Sequence, residues 1–449
     1  MSKQEQAYQI FQRCFSKKAL RRIYTEKISQ THVVGTDGVS QSAFRRKTKE
    51  EINLIVAKVY SGDYRFTTFK QRLISKGPNR YPRVISIPTI RDRITLRALN
   101  EVLCEVFPDA RLLRPHVFVK RIREALRKQF TDPKFIRVDV KDFYPTISHD
   151  HLFRLLRKKI RKKQILQLIK SALLTPTLGV SYDEVGVPQG LNISNILSSI
   201  YLHDLDRNFE GKYDYFRYVD DILVICDGQK ADATFKEIVT AFDEVNLKCH
   251  PLTSSSKSKI CNVSDGIEYL GFFFGPNRIS VRRSSFTRMM ENLLSVLTDY
   301  KHRPKPRRNE TQLVWRLNLK ITGCIYQGRR FGWIFFFSQI NDLQQLGRLD
   351  QFLSDQLESR GLAHLRPRVK KFLRSYHEIR RNLAHTRYIP KFDDLNIDEI
   401  VTQLSCQMGI QESELRARHT EQELRQKFTA MIRRQTSMLE RDLIEATAS

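Results

Sequence analysis

The sequence predicts an α+β protein, a sheet domain flanked by helices and followed by a mainly helical C-terminal third. Three observations predict it. Apolar runs of strand length end in carboxylates at Asp139 and around Asp220-Asp221, helical apolar spacings separate those runs, and strand signals fade after about residue 283.

Taken in order, Tyr8, Phe11, Phe15, Leu20 and Ile23 recur at helical spacing within residues 1–30. A turn at Thr36-Asp37-Gly38-Val39-Ser40 precedes a helix with Ile52, Ile55, Val56 and Val59 on one face, stopped by Ser61-Gly62-Asp63. Residues 64–87 alternate in short runs broken by Gly77-Pro78-Asn79, which predicts a strand, a turn and a strand. Ile94, Ala98, Val102 and Val106 give a helix over 91–106, and Phe135–Val140 a buried strand running into a polar turn. One strongly basic helix is expected over 151–173, and another over 192–205, entered through Pro188-Gln189-Gly190. Phe216–Ile225 reads as a β-hairpin with Val219-Asp220-Asp221 at its tip, 231–246 as a helix and Tyr269–Phe274 as a strand. Beyond 283 come helices, a basic proline-containing linker at 302–308, and a charged terminal helix with Leu424, Phe428, Met431 and Met438 on one face. The expected domains are 1–283, 284–400 and 401–449.

The chain has 449 residues, too many for one core. Its 78 Lys and Arg against 49 Asp and Glu leave a net charge of +29, an excess that favours a polyanionic partner. A membrane-surface protein of this charge wants a basic amphipathic or lipidated terminus, and Met1-Ser2-Lys3-Gln4 is neither. Seven scattered cysteines without a C-x-x-C pair argue against a zinc ribbon or a disulfide scaffold. No apolar run is long enough to span a bilayer, so a cytoplasmic location without membrane contact is expected.

Adjacent aspartates mean little alone, and Asp393-Asp394 in a polar turn is this chain's own control. Asp220-Asp221 differs in placement, because a hairpin tip between apolar strands lifts carboxylates to the rim of a sheet. An ordinary polar turn is the alternative. Asp139 shifts the balance, since it ends a second apolar strand and is followed by Asp142, Phe143 and Tyr144. Two-metal phosphoryl transfer needs carboxylates from different strands converging on ions roughly 3.5–4 Å apart. Mg²⁺ takes few protein carboxylates and completes its shell with phosphates and water.

In order the chain shows Gly35-x-Asp37-Gly38-Val39-Ser40, Pro82-Arg83-Val84-Ile85-Ser86-Ile87-Pro88 ahead of Asp92-Arg93-Ile94, and Asp139-x-x-Asp142-Phe143-Tyr144. Next come Gly186-Val187-Pro188-Gln189-Gly190, Tyr218-Val219-Asp220-Asp221, Lys257-Ser258-Lys259 and Tyr269-Leu270-Gly271-Phe272. Over about residues 30–280 this series resembles bacterial reverse transcriptases of the group II intron, retron and defence-associated types. The resemblance implies a right-hand polymerase, with fingers and an antiparallel palm sheet followed by a helical thumb and C-terminal helices. It implies two Mg²⁺ ions, with Mn²⁺ as a substitute, held by a metal set of Asp139, Val140, Asp220 and Asp221, and dNTPs as substrates. Tyr144 is similar to the aromatic gate that excludes a ribose 2′-hydroxyl. Gln189 and Gly190 resemble the loop lining the nucleotide pocket, and Lys76 and Arg83 the basic residues that grip a triphosphate. Lys257 or Lys259 is placed to protonate pyrophosphate.

No Cys/His nuclease spacing and no second acidic constellation is seen. The resemblance is therefore greatest to stand-alone defence-associated enzymes or retron enzymes, which copy a structured non-coding RNA template into cDNA. An RNA-directed RNA polymerase, a silent RNA-binding scaffold and a template-independent or protein-primed polymerase are the rivals. The narrow apolar stripe of the terminal helix suits a second copy of the chain or RNA docking, with packing on its own thumb as the alternative.

Overall fold

The computed structural model describes residues 3–447, apart from 30, 32, 76–80, 181–183, 254–255 and 305–307. Lys76, the turn Gly77-Pro78-Asn79 and the linker residues Lys305–Arg307 therefore lie outside the described residues. The chain forms two compact units. The first comprises residues 1–114 and 127–260, the second residues 115–126 and 261–449.

In the first unit, helices Lys3–Cys14 and Lys17–Ile23 bury Phe11, Leu20 and Ile23, and Phe15 between them is buried too. Ser16 caps the second of these by accepting the Ala19 amide. The helix Thr48–Ser61 buries Ile52, Ile55 and Val59 and ends on left-handed Gly62. Strands β1 (Lys70–Ile74) and β2 (Arg83–Ile87) pair antiparallel. The helix Ile90–Val106 comes next, capped by Thr89. Its buried Asp92 accepts from the Tyr64 hydroxyl at 2.8 Å, the Thr89 hydroxyl at 2.8 Å and the Thr67 amide at 3.1 Å, so this carboxylate is a structural anchor.

The central sheet runs β4–β5–β3–β6, with β3 Pro133–Asp139, β4 Asp214–Tyr218, β5 Asp221–Asp227 and β6 Lys259–Asn262, the last carrying the chain into the second unit. β5 is antiparallel to both β3 and β4. Alternation divides its residues between two faces. Ile136, Val138, Ile222 and Val224 point into the core shared with the helices Ser194–Lys212 and Gly228–Glu244. Arg137, Asp139 and Asp221 share the other face by register.

One expected helix is two. The basic stretch 151–173 divides into His149–Arg157 and Lys163–Leu174. A continuous helix would stack Arg157 on Arg161, Lys158 on Lys162 and Lys159 on Lys163, like charges one turn apart. The connector spreads them instead. Lys158 pairs with Asp204, Lys159 lies over Phe107 and Lys162 over Tyr8, while Ile160 is fully buried.

The second unit contains the helix Pro115–Ala125 and an antiparallel meander of β7 (Ile267–Tyr269), β8 (Phe272–Phe274) and β9 (Ile279–Val281). Helices dominate the remainder of the unit, yet a hairpin of β10 (Cys324–Tyr326) and β11 (Arg329–Phe331) interrupts them. Its turn residues Gln327 and Gly328 are both left-handed and donate their amides to Asp393 at 2.6 and 2.9 Å. Asp393 thus serves a turn. Trp333, Ile334 and Phe337 are core, and Trp315 is half-buried with its indole donating to Gln403.

The terminal helix Glu421–Thr447 corrects the docking expectation. Leu424, Phe428, Ile432 and Leu439 are buried in a cluster with Val401, Leu404 and Leu415 of the same unit. Met431 packs at its edge and Met438 is half-buried. The stripe that suited a partner covers the chain's own core. Among the described residues no helix is long and apolar enough to cross a membrane.

Candidate active site

Antiparallel pairing sets Asp139, the last residue of β3, directly opposite Asp221, the first of β5. Tyr218 pairs with Asp221 on the other side, so Val219 and Asp220 form a two-residue turn. Val219 has φ 60° there. A β-branched residue in that region costs on the order of 1–3 kcal/mol. The Asp220 carbonyl accepts the Val140 amide at 3.4 Å, which ties the turn to the end of β3. The three acids of the sequence motifs thus occupy one sheet rim.

Asp139 is nearly buried. Its Oδ2 lies 3.2 Å from Lys257 Nζ and 3.4 Å from His250 Nε2, its amide donates to Ser258 Oγ at 3.1 Å, and its carbonyl accepts the His250 amide at 2.9 Å. Asp221 is held differently. Arg137 Nε and Nη2 donate to its two oxygens, both at 2.9 Å. Burial nonetheless outweighs that pairing and pushes the Asp221 carboxyl up to about 6, with Asp220 and Asp139 adding repulsion. Burial, with help from Asp139, also raises Asp220, against Arg83 and Lys257.

These acids suit divalent cations. A rim of buried carboxylates that repel one another is relieved by positive charge, and Mg²⁺ binds through one or two carboxylates plus substrate phosphates. Asp139 and Asp220 are the natural donors, since both oxygens of Asp221 are engaged by Arg137. Among the described residues no three His, Cys, Asp or Glu already form a cage for a metal ion.

Of the other residues singled out by sequence, Tyr144 is mostly buried and donates its hydroxyl to Asn195 Oδ1 at 2.6 Å. Burial pushes that hydroxyl up to about 12, with the Asp220 charge contributing. Arg83 begins β2, exposed, and its charge reaches both Asp220 and Tyr144. The Gln189 carbonyl accepts the Ser86 amide at 2.7 Å, docking the 188–190 loop on β2. Gly190 at φ 97° sits so close to β2 that a Cβ would meet Ile85 Cγ2 at 2.6 Å. Its close approach is therefore to the β2 strand. Lys257 and Lys259 are both exposed, and Lys257 reaches Asp139.

Sequence reasoning missed Arg137, Arg217, Asp206 and His250. Arg137 carried a signal, since two residues before Asp139 on a strand means the same face. His250 reaches Asp139 through a bridge between Val140 and Cys249 that no spacing announces.

Residues 74–274 match the family described as reverse transcriptase (RNA-dependent DNA polymerase). The chain is 28% identical over 256 residues to an uncharacterized 91 kDa protein in the cob intron of Schizosaccharomyces pombe, covering 52% of this chain and 32% of that one. It is 25% identical over 346 residues to the protein YkfC of Escherichia coli, covering 66% and 87%. It is 26% identical over 198 residues to the group II intron-encoded protein LtrA of Lactococcus lactis, covering 42% and 32%. The matched part thus spans about a third of either intron protein and most of YkfC.

Proposed function

We propose that the chain is an RNA-directed DNA polymerase that copies an RNA template into cDNA by two-metal nucleotidyl transfer. The observation that carries the proposal is the register placing Asp139 opposite Asp221, with Asp220 in the adjoining turn. Asp139 and Asp220 would hold the two Mg²⁺ ions, with the Val140 backbone at the same rim. Once bound, the ions supply the positive charge that a nucleophilic 3′-oxygen and a leaving pyrophosphate require. Arg83 faces the site with a fixed positive charge suited to a triphosphate, a role also proposed for Lys76. Lys257 holds a proton at Nζ, 3.2 Å from Asp139, where it can be passed to a leaving oxygen. Tyr144 offers an aromatic wall to the incoming sugar, and its bond to Asn195 fixes the ring. The 188–190 loop, with Gln189 and Gly190, shapes the pocket by holding β2 in place.

An RNA partner also suits the charge. Between residues 360 and 391 there are ten Lys and Arg against a single acid, Glu378. The exposed side chains of Lys371, Arg380, Arg381 and Arg387 make no hydrogen bond or ion pair among the described residues. The narrower assignment, to a stand-alone enzyme serving anti-phage defence with a structured non-coding RNA, rests on motif resemblance. Sequencing the nucleic acid that co-purifies with the chain tests it.

The core proposal is tested by primer extension on an RNA template with dNTPs and Mg²⁺. Asp220→Ala with Asp221→Ala is expected to abolish incorporation while the protein stays folded by circular dichroism. Retained synthesis by the folded double variant would refute the assignment.

A further inference from the structure

The turn carrying Asp220 is strained and is gripped from the buried face of the sheet. Val219, a β-branched residue at φ 60°, does not prefer the conformation it occupies. Unrestrained, the turn would relax toward more comfortable backbone angles, and the Asp220 carboxylate would swing with it. Arg217 opposes that relaxation. It stands two residues before Val219 on β4, its side chain is only 5% exposed, and its Nη1 donates to the Val219 carbonyl at 2.7 Å.

The guanidinium is itself fixed. Its Nε donates to Asp206 Oδ1 at 2.7 Å and its Nη2 to Asp206 Oδ2, a bidentate pair with a residue of the helix Ser194–Lys212. The Tyr215 hydroxyl holds the same carboxylate from β4 at 3.0 Å. A rigid, permanently charged fork spanning one carboxylate and one carbonyl leaves the carbonyl little freedom. Register places Arg217 opposite Ile222, on the core side, whereas Asp221 lies on the alternate face with Asp139. Arg217 therefore acts through the backbone of the turn, from behind.

We propose that Arg217 is a positioning residue of the polymerase turn: set by Asp206, it holds the Val219 carbonyl and so fixes where the Asp220 carboxylate points. The inference rests on the polymerase function proposed above. A lysine at 217 keeps the charge but has one compact head, which cannot grip both Asp206 oxygens and the carbonyl together.

The test uses the full chain as wild type, Arg217→Lys and Asp206→Asn. Three quantities are measured: Mn²⁺ binding by electron paramagnetic resonance without substrate, the single-turnover rate of dNTP incorporation against Mg²⁺ concentration, and the melting temperature. Folded Arg217→Lys is expected to bind Mn²⁺ several-fold more weakly and to need correspondingly more Mg²⁺. Its rate should fall roughly 10–100-fold, as for an active group displaced by a fraction of an ångström to an ångström, with the KM for dNTP little changed. Asp206→Asn should move the same quantities in the same direction by less.

A folded Arg217→Lys with wild-type Mn²⁺ affinity and rate overturns the proposal. So does a loss that merely tracks the fraction of folded protein at unchanged Mn²⁺ affinity. Should Arg217→Lys not fold, Asp206→Asn decides by the same criteria. A wild-type chain that incorporates no nucleotide on any template would refute the polymerase reading instead, and Mn²⁺ affinity would still decide the clamp.

Discussion

Replacing Asp221 by Asn is expected to flatten a pH dependence that the metal-free wild type shows between about pH 4 and pH 6. The Asp221 carboxyl titrates near 6 in the folded protein against an ordinary 3.8, because burial outweighs the pairing with Arg137. Proton counting gives the sign. Between the two values the folded state keeps the proton and the unfolded state has lost it, so stability declines as pH rises through this window. The penalty is complete above pH 6 and is relieved as pH falls from 6 toward 4. A shift of that size corresponds to about 3 kcal/mol. In a unit of roughly 150–250 residues each kcal/mol moves the melting temperature by about 2–4 °C. Asparagine cannot ionise, so the slope should shrink to that of the other carboxyls raised by burial, among them Asp220, Asp92 and Asp350. Scanning fluorimetry in EDTA at half-unit steps from pH 4.5 to 7 measures both slopes. The same slope in wild type and variant would refute the burial of an ionisable Asp221.

Three further outcomes are expected. Tyr144→Ala should admit ribonucleotides, read as a raised rNTP-to-dNTP ratio in single-nucleotide assays, and an unchanged ratio would reduce Tyr144 to a packing residue. RNA affinity should fall steeply with salt, each neutralised phosphate adding roughly 0.7–0.9 to the log–log slope. Arg380→Gln, Arg381→Gln and Arg387→Gln together should lower that slope by about 2, and filter binding at several salt concentrations checks this. Truncation after residue 410 removes buried Leu415, Leu424, Phe428, Ile432 and Leu439. At about 1.5–3 kcal/mol per buried side chain the loss is on the order of 10 kcal/mol, so the shortened chain should aggregate in gel filtration, and a monodisperse, active truncation would contradict this packing.

The grouping of the three candidate acids was legible because the signals for it are local. Asp139 at the end of one apolar run and Asp220-Asp221 between two others announce strand-end carboxylates, and strand alternation does the rest. Asp393-Asp394 lacked those apolar flanks, and the structure uses Asp393 to hold a hairpin turn. The basic run 157–163 misled, since helical spacing says nothing of how like charges at i and i+4 will be avoided. The terminal helix misled for another reason. Its stripe looked thin from Leu424, Phe428, Met431 and Met438, but Ile432 and Leu439 complete it, and the surface that covers it comes from helices far earlier in the chain.

By itself, the sequence determined the α+β class, the candidate acids and the net positive charge, because periodicity, strand ends and charge are properties of neighbouring residues. Only the tertiary structure decided that Arg137 occupies Asp221, that Arg217 and Asp206 grip the Val219 turn from behind, and that His250 and Lys257 reach Asp139. Each of these contacts joins residues from different strands, helices or loops, and which of them meet is fixed by sheet register and core packing, which depend on the whole chain at once.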